Sequence, residues 1–430
     1  MMPKLNINLR GVLDFGRMTG GYFFTTILNN AIPFLVLPIL TRFLEPAEYG
    51  NIALFNFYLA LSNALTGSSI PAIVSKYFFD RDKEYISKLI GNSIGVVFIF
   101  SLTTLIIILI FQSTLQKYLE LEFIWLVSIP VASFAWVCFN LGLTLIRNSK
   151  KVMLFTKHQV GNTILNFAIS IVLIVILLWG WQGRVLGIII SYIISAMLML
   201  LYLHREGYIT FSFSKGIIRH ILDLVLPLIP NSIQSVIISQ IGIFFIQYYF
   251  TKELLGIFSV GFQISFSIKL LITALSLSWG PFIFKQLSNQ KTINTIYVTR
   301  MFLLMAGVLV IGVAFINLFA EFILKLMTTK EYYGAIAFIP WFTIGFFFNG
   351  LYVFLMPILI KFEKQKYVSF VSFLNMIIML GLNVWFADIF GYIGIVYAYS
   401  LTYFLLFLAL SVKAQITYPL PWLSALKIWK

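Results

Sequence analysis

Apolar positions in this chain do not alternate with polar ones. They fall in runs of twenty or more residues, separated by short clusters of charge. Each run is long enough to cross a hydrocarbon core of about 30 Å as a helix. A water-free core admits only helices or closed barrels, because backbone N–H and C=O groups must be satisfied inside the protein. Barrel strands would show short period-two stretches, and none is visible, so the pattern predicts an all-α polytopic membrane protein. Twelve spans are read: 16–43, 49–75, 89–112, 122–146, 158–180, 183–203, 222–250, 254–284, 297–320, 334–360, 367–388 and 391–412. The longest connection, 204–221 (HREGYITFSFSKGIIRHI), is too small to be a domain, which leaves no room for a soluble catalytic module.

The two halves echo each other. TRFLEPAEYGNIALF from Thr41 aligns with QYYFTKELLGIFSVG from Gln247, placing Gly50 over Gly256; GRVLGIIISY from Gly183 resembles GYIGIVYAY from Gly391, placing Gly187 over Gly394 and Tyr192 over Tyr399. Six helices per half is an even number, so both halves share one orientation. The expected architecture is two six-helix lobes, 1–210 and 211–430, related by a pseudo-twofold along the membrane normal. Transporters built from such repeats bind substrate near the midplane between them and give alternating access.

Composition agrees with the pattern: 60% of residues are hydrophobic, 10% are charged and the mean hydropathy is +0.96, against about 25% charged in a soluble domain. The net charge of +15 would suit nucleic acid, but no basic domain exists to grip it. Retention of basic loops in the cytoplasm gives a simpler account. Of 30 lysines and arginines, 23 fall in one alternate set of loops with both termini, and six (Arg42, Lys117, Arg184, Lys252, Lys325, Lys330) fall in the other. This predicts an inner-membrane protein with both termini in the cytoplasm. The first apolar run is too long for a signal-peptide core, so no cleavable signal is expected. Cys138 is the single cysteine, which excludes an intramolecular disulfide.

The remaining basic residue, Lys269, stands alone inside the eighth span. An ammonium at the centre of a span costs roughly 2.5–3.5 kcal/mol on insertion scales and marks a functional position by default. The fifteen acidic residues all lie in loops or close to span ends, so no carboxylate is expected to neutralise it. At helical spacing its face carries Phe258, Phe262, Ser265, Lys269, Thr273, Ser276 and Gly280, a polar and aromatic stripe that reads as the lining of a wet cavity awaiting an anion. The alternative is a lysine satisfied by water and carbonyls without a substrate role. Subtracting the repeat offset from Lys269 lands on Asn63, and proline-interrupted spans one and seven add Asn29, Asn231 and Gln234 as further candidates. These amides equally suit interhelical packing. Arg17 and Arg42, at the two ends of span one, could guide an anion or simply anchor the helix at the interface. No phosphate-binding loop, no metal-ligand spacing of His158, His204 and His220, and no nucleophile–base pair is visible, so neither a cofactor nor a metal is expected.

Three stretches, PILTRFLEPAEYGNIALF (Pro38 to Phe55), LPLIPNSI from Leu226 and WGPFIFK from Trp279, together with the twelve-span layout, resemble the polysaccharide-transporter family. These are the O-antigen flippases of the multidrug/oligosaccharidyl-lipid/polysaccharide superfamily. Glu45 stands where that family more usually has glycine. The resemblance implies a flippase, not an enzyme, that moves an undecaprenyl-diphosphate-linked oligosaccharide from the cytoplasmic to the periplasmic leaflet. Lys269 would then belong to a cationic cavity for the diphosphate, with membrane lipid around the tail. The resemblance leaves open an H+ or Na+ gradient as drive and a polysaccharide polymerase as partner. Two rivals are a multidrug and toxin extruder of the same superfamily, which usually needs carboxylates inside its lobes, and a membrane polymerase or glycosyltransferase, which tends to need a large external loop or acidic catalytic residues.

Overall fold

In the computed structural model, residues 9–288 and 295–426 are described, and all the regular structure among them is helical. The helices of the first half are α1 (Leu9–Phe43), α2 (Pro46–Thr66), α3 (Ile70–Phe78), α4 (Lys83–Ile110), α5 (Gln112–Leu119), α6 (Phe123–Asn148), α7 (Val152–Ile171), α8 (Gly180–Arg205) and α9 (Lys215–Val225). There follow α10 (Ile229–Tyr249), α11 (Lys252–Ser265), α12 (Ser267–Ser288), α13 (Thr295–Leu318), α14 (Ala320–Met327), α15 (Ile339–Lys361), α16 (Gln365–Phe390), α17 (Tyr392–Thr417) and α18 (Trp422–Leu426). Among the described residues, eleven helices are long and apolar enough to cross a membrane, or up to twelve if the bent pair α2–α3 counts as one span.

Local chemistry sets the boundaries. Asp82 caps α4 by accepting from the Tyr85 amide at 3.1 Å, and Thr251 caps α11 by accepting from the Leu254 amide at 3.3 Å. Each satisfies a donor that the first helical turn leaves without an intrahelical partner. The expected span 49–75 is broken, because Gly67 adopts φ +109° and the two segments meet at 46°. That backbone region is open chiefly to glycine. The expected span 254–284 is interrupted at Phe266, between α11 and α12. The expected span 222–250 instead begins at Lys215, through α9 and a 3-10 turn at Leu226–Leu228. Pro227 has no amide to donate and crowds the preceding turn, which tightens the helix there without ending it.

The chain packs as two compact units, the first from the N-terminal segment to Val36 with Phe55–Val236, the second from Leu37–Leu54 with Ile237 onward. In the first, α6 is the central helix: Val137, Cys138, Leu141 and Leu145 are buried against Leu89, Ile90 and Val97 of α4 and Met199 and Leu203 of α8. In the second, Phe342, Phe354 and Ile358 of α15 are buried, and the Trp279 indole of α12 donates to the Phe354 carbonyl at 2.6 Å.

The stretch Leu37–Leu54 is bound into the second unit by its backbone. Thr41 Oγ1 donates to the Met327 carbonyl at 3.0 Å, and Tyr332 donates its hydroxyl to the Leu44 carbonyl at 2.7 Å. Burial, then the neighbouring Tyr49 and Glu331, hold the Tyr332 phenol well above the ordinary tyrosine value, so it stays a neutral donor. The start of α2 meets the start of α11 so closely that a Cβ on Gly50 would strike the Lys252 carbonyl, and one on Gly256 would strike the Pro46 carbonyl. The contact is reciprocal. The offset of 206 residues that carries Gly50 onto Gly256 also carries Pro46 onto Lys252, so this crossing has local two-fold character.

Candidate binding sites in each unit

Lys269 lies in the first turn of α12, immediately after the interruption at Phe266, whose carbonyl accepts from the Lys269 amide at 2.8 Å. Its ammonium donates to Asn349 Oδ1 of α15 at 2.7 Å. Among the described residues it makes no ion pair, so the charge is held by a neutral amide and is not cancelled. Asn349 is buried, and Thr273, one turn on, returns its hydroxyl to the Lys269 carbonyl at 2.9 Å. Ser265 is fully buried and donates to the Gly261 carbonyl at 2.8 Å, the hydrogen bonding of a packing residue. Arg42, also in this unit, is exposed at the end of α1.

The other candidates lie in the first unit. Gln234 is buried and Asn231 exposed on α10. Asn63 is half-buried on α2, with a buried Oδ1 that has no partner among the described residues. Asn29 of α1 accepts from Thr163. The Arg17 side chain lies outside the described residues.

Asn29 opens onto a feature that the span count concealed. A cavity of about 370 Å³ lies within the first unit, among α1, α2, α6, α7 and α8. One face of α7 lines it with Gln159, Asn162, Thr163 and Asn166, and Asn56 and Asn140 add two more amides. Among the described residues that line it, Arg184 is the charged one. The sequence reading places Arg184 second in the span 183–203 and counts it with the loop charges. In the structure α8 begins at Gly180, so Arg184 lies more than a turn inside the helix, half-buried and facing α7. Nη1 donates to Asn166 Oδ1 and, at 2.7 Å, to Ser170 Oγ. The guanidinium carbon lies 4.3 Å from the centre of the Phe167 ring, within cation–π range. The missed signal was the polar face of α7, where residues 159, 162, 163, 166 and 170 recur at helical spacing.

Both cations sit on apolar helices against a neutral asparagine, and the described residues contain no group of His, Cys, Asp or Glu able to hold a metal. With eleven or twelve candidate spans, such a scaffold is that of a multi-pass membrane protein. The family described as "Polysaccharide biosynthesis protein" matches residues 16–287, and the chain belongs to this family. An "Uncharacterized membrane protein" of Haemophilus influenzae is 26% identical over 364 residues, 84% of this chain and 87% of its own. Among solved structures, "Lipid II flippase MurJ, inward closed conformation" superposes with a TM-score of 0.72 at 15% identity, covering 92% of this chain and 87% of that one. An inward-facing multidrug resistance MATE family transporter of the MOP superfamily gives 0.70 at 17% identity, covering 90% and 95%. The fold is shared with these transporters.

Proposed function

We propose that the protein is a flippase that carries an undecaprenyl-diphosphate-linked oligosaccharide from the cytoplasmic to the periplasmic leaflet of the inner membrane by alternating access. Membership of the polysaccharide biosynthesis family supports the glycan cargo. The likeness to a lipid II flippase supports a lipid-linked one. The observation that carries the reading is Lys269, an ammonium inside a span whose hydrogen-bond partner is the neutral Asn349. A charge kept in a low-dielectric region without an acid attracts a mobile anion, and a diphosphate supplies one. Asn63, Asn29 and Gln234 belong to the same reading as donors and acceptors for sugar hydroxyls, and Arg17 and Arg42 as guides at the mouths. An extruder of organic cations would gain nothing from a buried lysine.

The test is a strain lacking this gene, scored for surface polysaccharide and for sensitivity to cationic dyes in the same cultures. The wild-type gene is expected to restore polysaccharide, Lys269→Ala to fail at equal protein level, and Lys269→Arg to retain more function than Lys269→Gln. Equal activity of the three variants removes the anion role. Unchanged polysaccharide with heightened dye sensitivity replaces the flippase with a drug exporter.

A further inference from the structure

A second cationic site lies within the first unit, and its chemistry differs from that around Lys269. At Lys269 a single charge meets one amide. At Arg184 a planar guanidinium stands at one end of a row of amides. Along α7 the residues from Gln159 to Asn166 rise by roughly 10 Å at 1.5 Å per residue, and the cavity they line holds about 370 Å³. Helices α6 and α8 bring aromatic rings to the lining, Trp136 and Phe139 from the first and Tyr192 from the second. A core that needed only helix contacts would fill this space with aliphatic side chains, because interiors pack to the density of organic crystals.

The three kinds of group answer three features of one class of ligand. Amides donate to and accept from hydroxyls, aromatic faces cover the C–H face of a sugar ring, and a guanidinium fork matches the two oxygens of a carboxylate or phosphate. The contacts of Arg184 with Asn166, Ser170 and Phe167 fix the plane of the fork. A fork held in place before binding loses less freedom when the anion arrives.

We propose that this cavity is a binding site for an anionic, hydroxyl-rich part of the cargo, with Arg184 on the negative group and the amides of α7 on the hydroxyls. The negative group is either the carboxylate of an acidic sugar or the phosphate joining glycan to lipid; both present paired oxygens to the guanidinium. This deepens the flippase reading and rests on it for the identity of the cargo, whereas the anion selectivity of the cavity can be measured without it.

The experiment uses the purified full-length protein with Asn162→Cys. The single native cysteine, Cys138, is 1% exposed and serves as the unlabelled reference. Labelling rates are measured by peptide mass spectrometry for an anionic (sulfonatoethyl) and a cationic (trimethylammonioethyl) methanethiosulfonate. The anionic reagent is expected to react about tenfold faster. Arg184→Gln should abolish or reverse that preference, and Arg184→Lys should keep most of it, which separates lost charge from lost folding. Equal rates, a faster cationic reagent, or no labelling of the introduced thiol overturns the proposal. Glucuronate and inorganic pyrophosphate are then added as competitors. Protection by glucuronate alone assigns the cavity to an acidic sugar, and protection by pyrophosphate alone assigns it to the phosphates. Protection by both assigns it to either anion, and protection by neither overturns the site as a binding site. Anion selectivity in a strain whose polysaccharide does not depend on this gene would keep the site and remove the flippase.

Discussion

A lysine and an asparagine carry the tension of the second unit. Placing an ammonium inside a span is unfavourable by about 2.5–3.5 kcal/mol on insertion scales, and the hydrogen bond from Lys269 to Asn349 returns only part of that. Hydrogen bonds to charged groups contribute about 1.5–3 kcal/mol. Asn349→Leu removes the acceptor and leaves the charge, so it is expected to destabilise by an amount in that range. Lys269→Met removes the charge and leaves a buried amide that can turn to another partner, so its unfolding temperature is expected to match or exceed the wild type. The double variant should recover most of the Asn349→Leu loss. Thermal unfolding in detergent across the four proteins measures the coupling. Simple additivity would mean that the pair does not interact in the folded protein. A stable Lys269→Met protein that fails in transport would place the lysine where stability has been given up for function.

At the scale of elements, the crossing of α2 over α11 depends on two glycines. A methyl on Gly256 meets the Pro46 carbonyl, a backbone atom that cannot rotate away, so the helices must separate. Gly256→Ala is therefore expected to destabilise by at least the roughly 1–3 kcal/mol typical of overpacking. Gly307 on α13 has nothing within 4 Å of its would-be Cβ, and alanine is the better helix former by up to about 1 kcal/mol. Gly307→Ala should therefore leave the unfolding temperature level or raise it. Equal effects at the two positions would refute the close-contact argument. Gly50 and Gly256 were legible as a repeat in the sequence, and so were the spans, because hydropathy and periodicity are local properties. Lys269 was legible for the same reason, as an isolated charge in an apolar run. Its partner Asn349 was not, since nothing local marks which amide on a helix 80 residues away will turn toward it. The interruption at Phe266 also escaped, because no proline or glycine marks it. The depth of Arg184 escaped for a specific reason: Gly180, Gln182 and Gly183 blur the true start of α8, so a span read from 183 puts the arginine at its edge and not a turn inside.

Arg184 bears on an argument about the whole molecule. Orientation was inferred from 23 basic residues in one set of loops and termini against six in the other. Arg184 lines a cavity within the first unit; set aside as Lys269 is, it leaves five in the minority set, Arg42, Lys117, Lys252, Lys325 and Lys330, against 23. The bias that retains basic loops in the cytoplasm stands without it. The two connections flanking α7 differ sharply, with Lys150 and Lys151 on one side and no charge from Leu177 to Gly183 on the other. A green fluorescent protein fused after Lys150 is accordingly expected to fluoresce, while alkaline phosphatase fused there stays inactive. Phosphatase fused after Trp179 should be active and the fluorescent fusion dark. The opposite pattern would put the termini outside and turn the direction of cargo movement around. The same signal at both positions would mean that α7 does not cross the membrane, and the amide face it offers to Arg184 would then need a role other than transport.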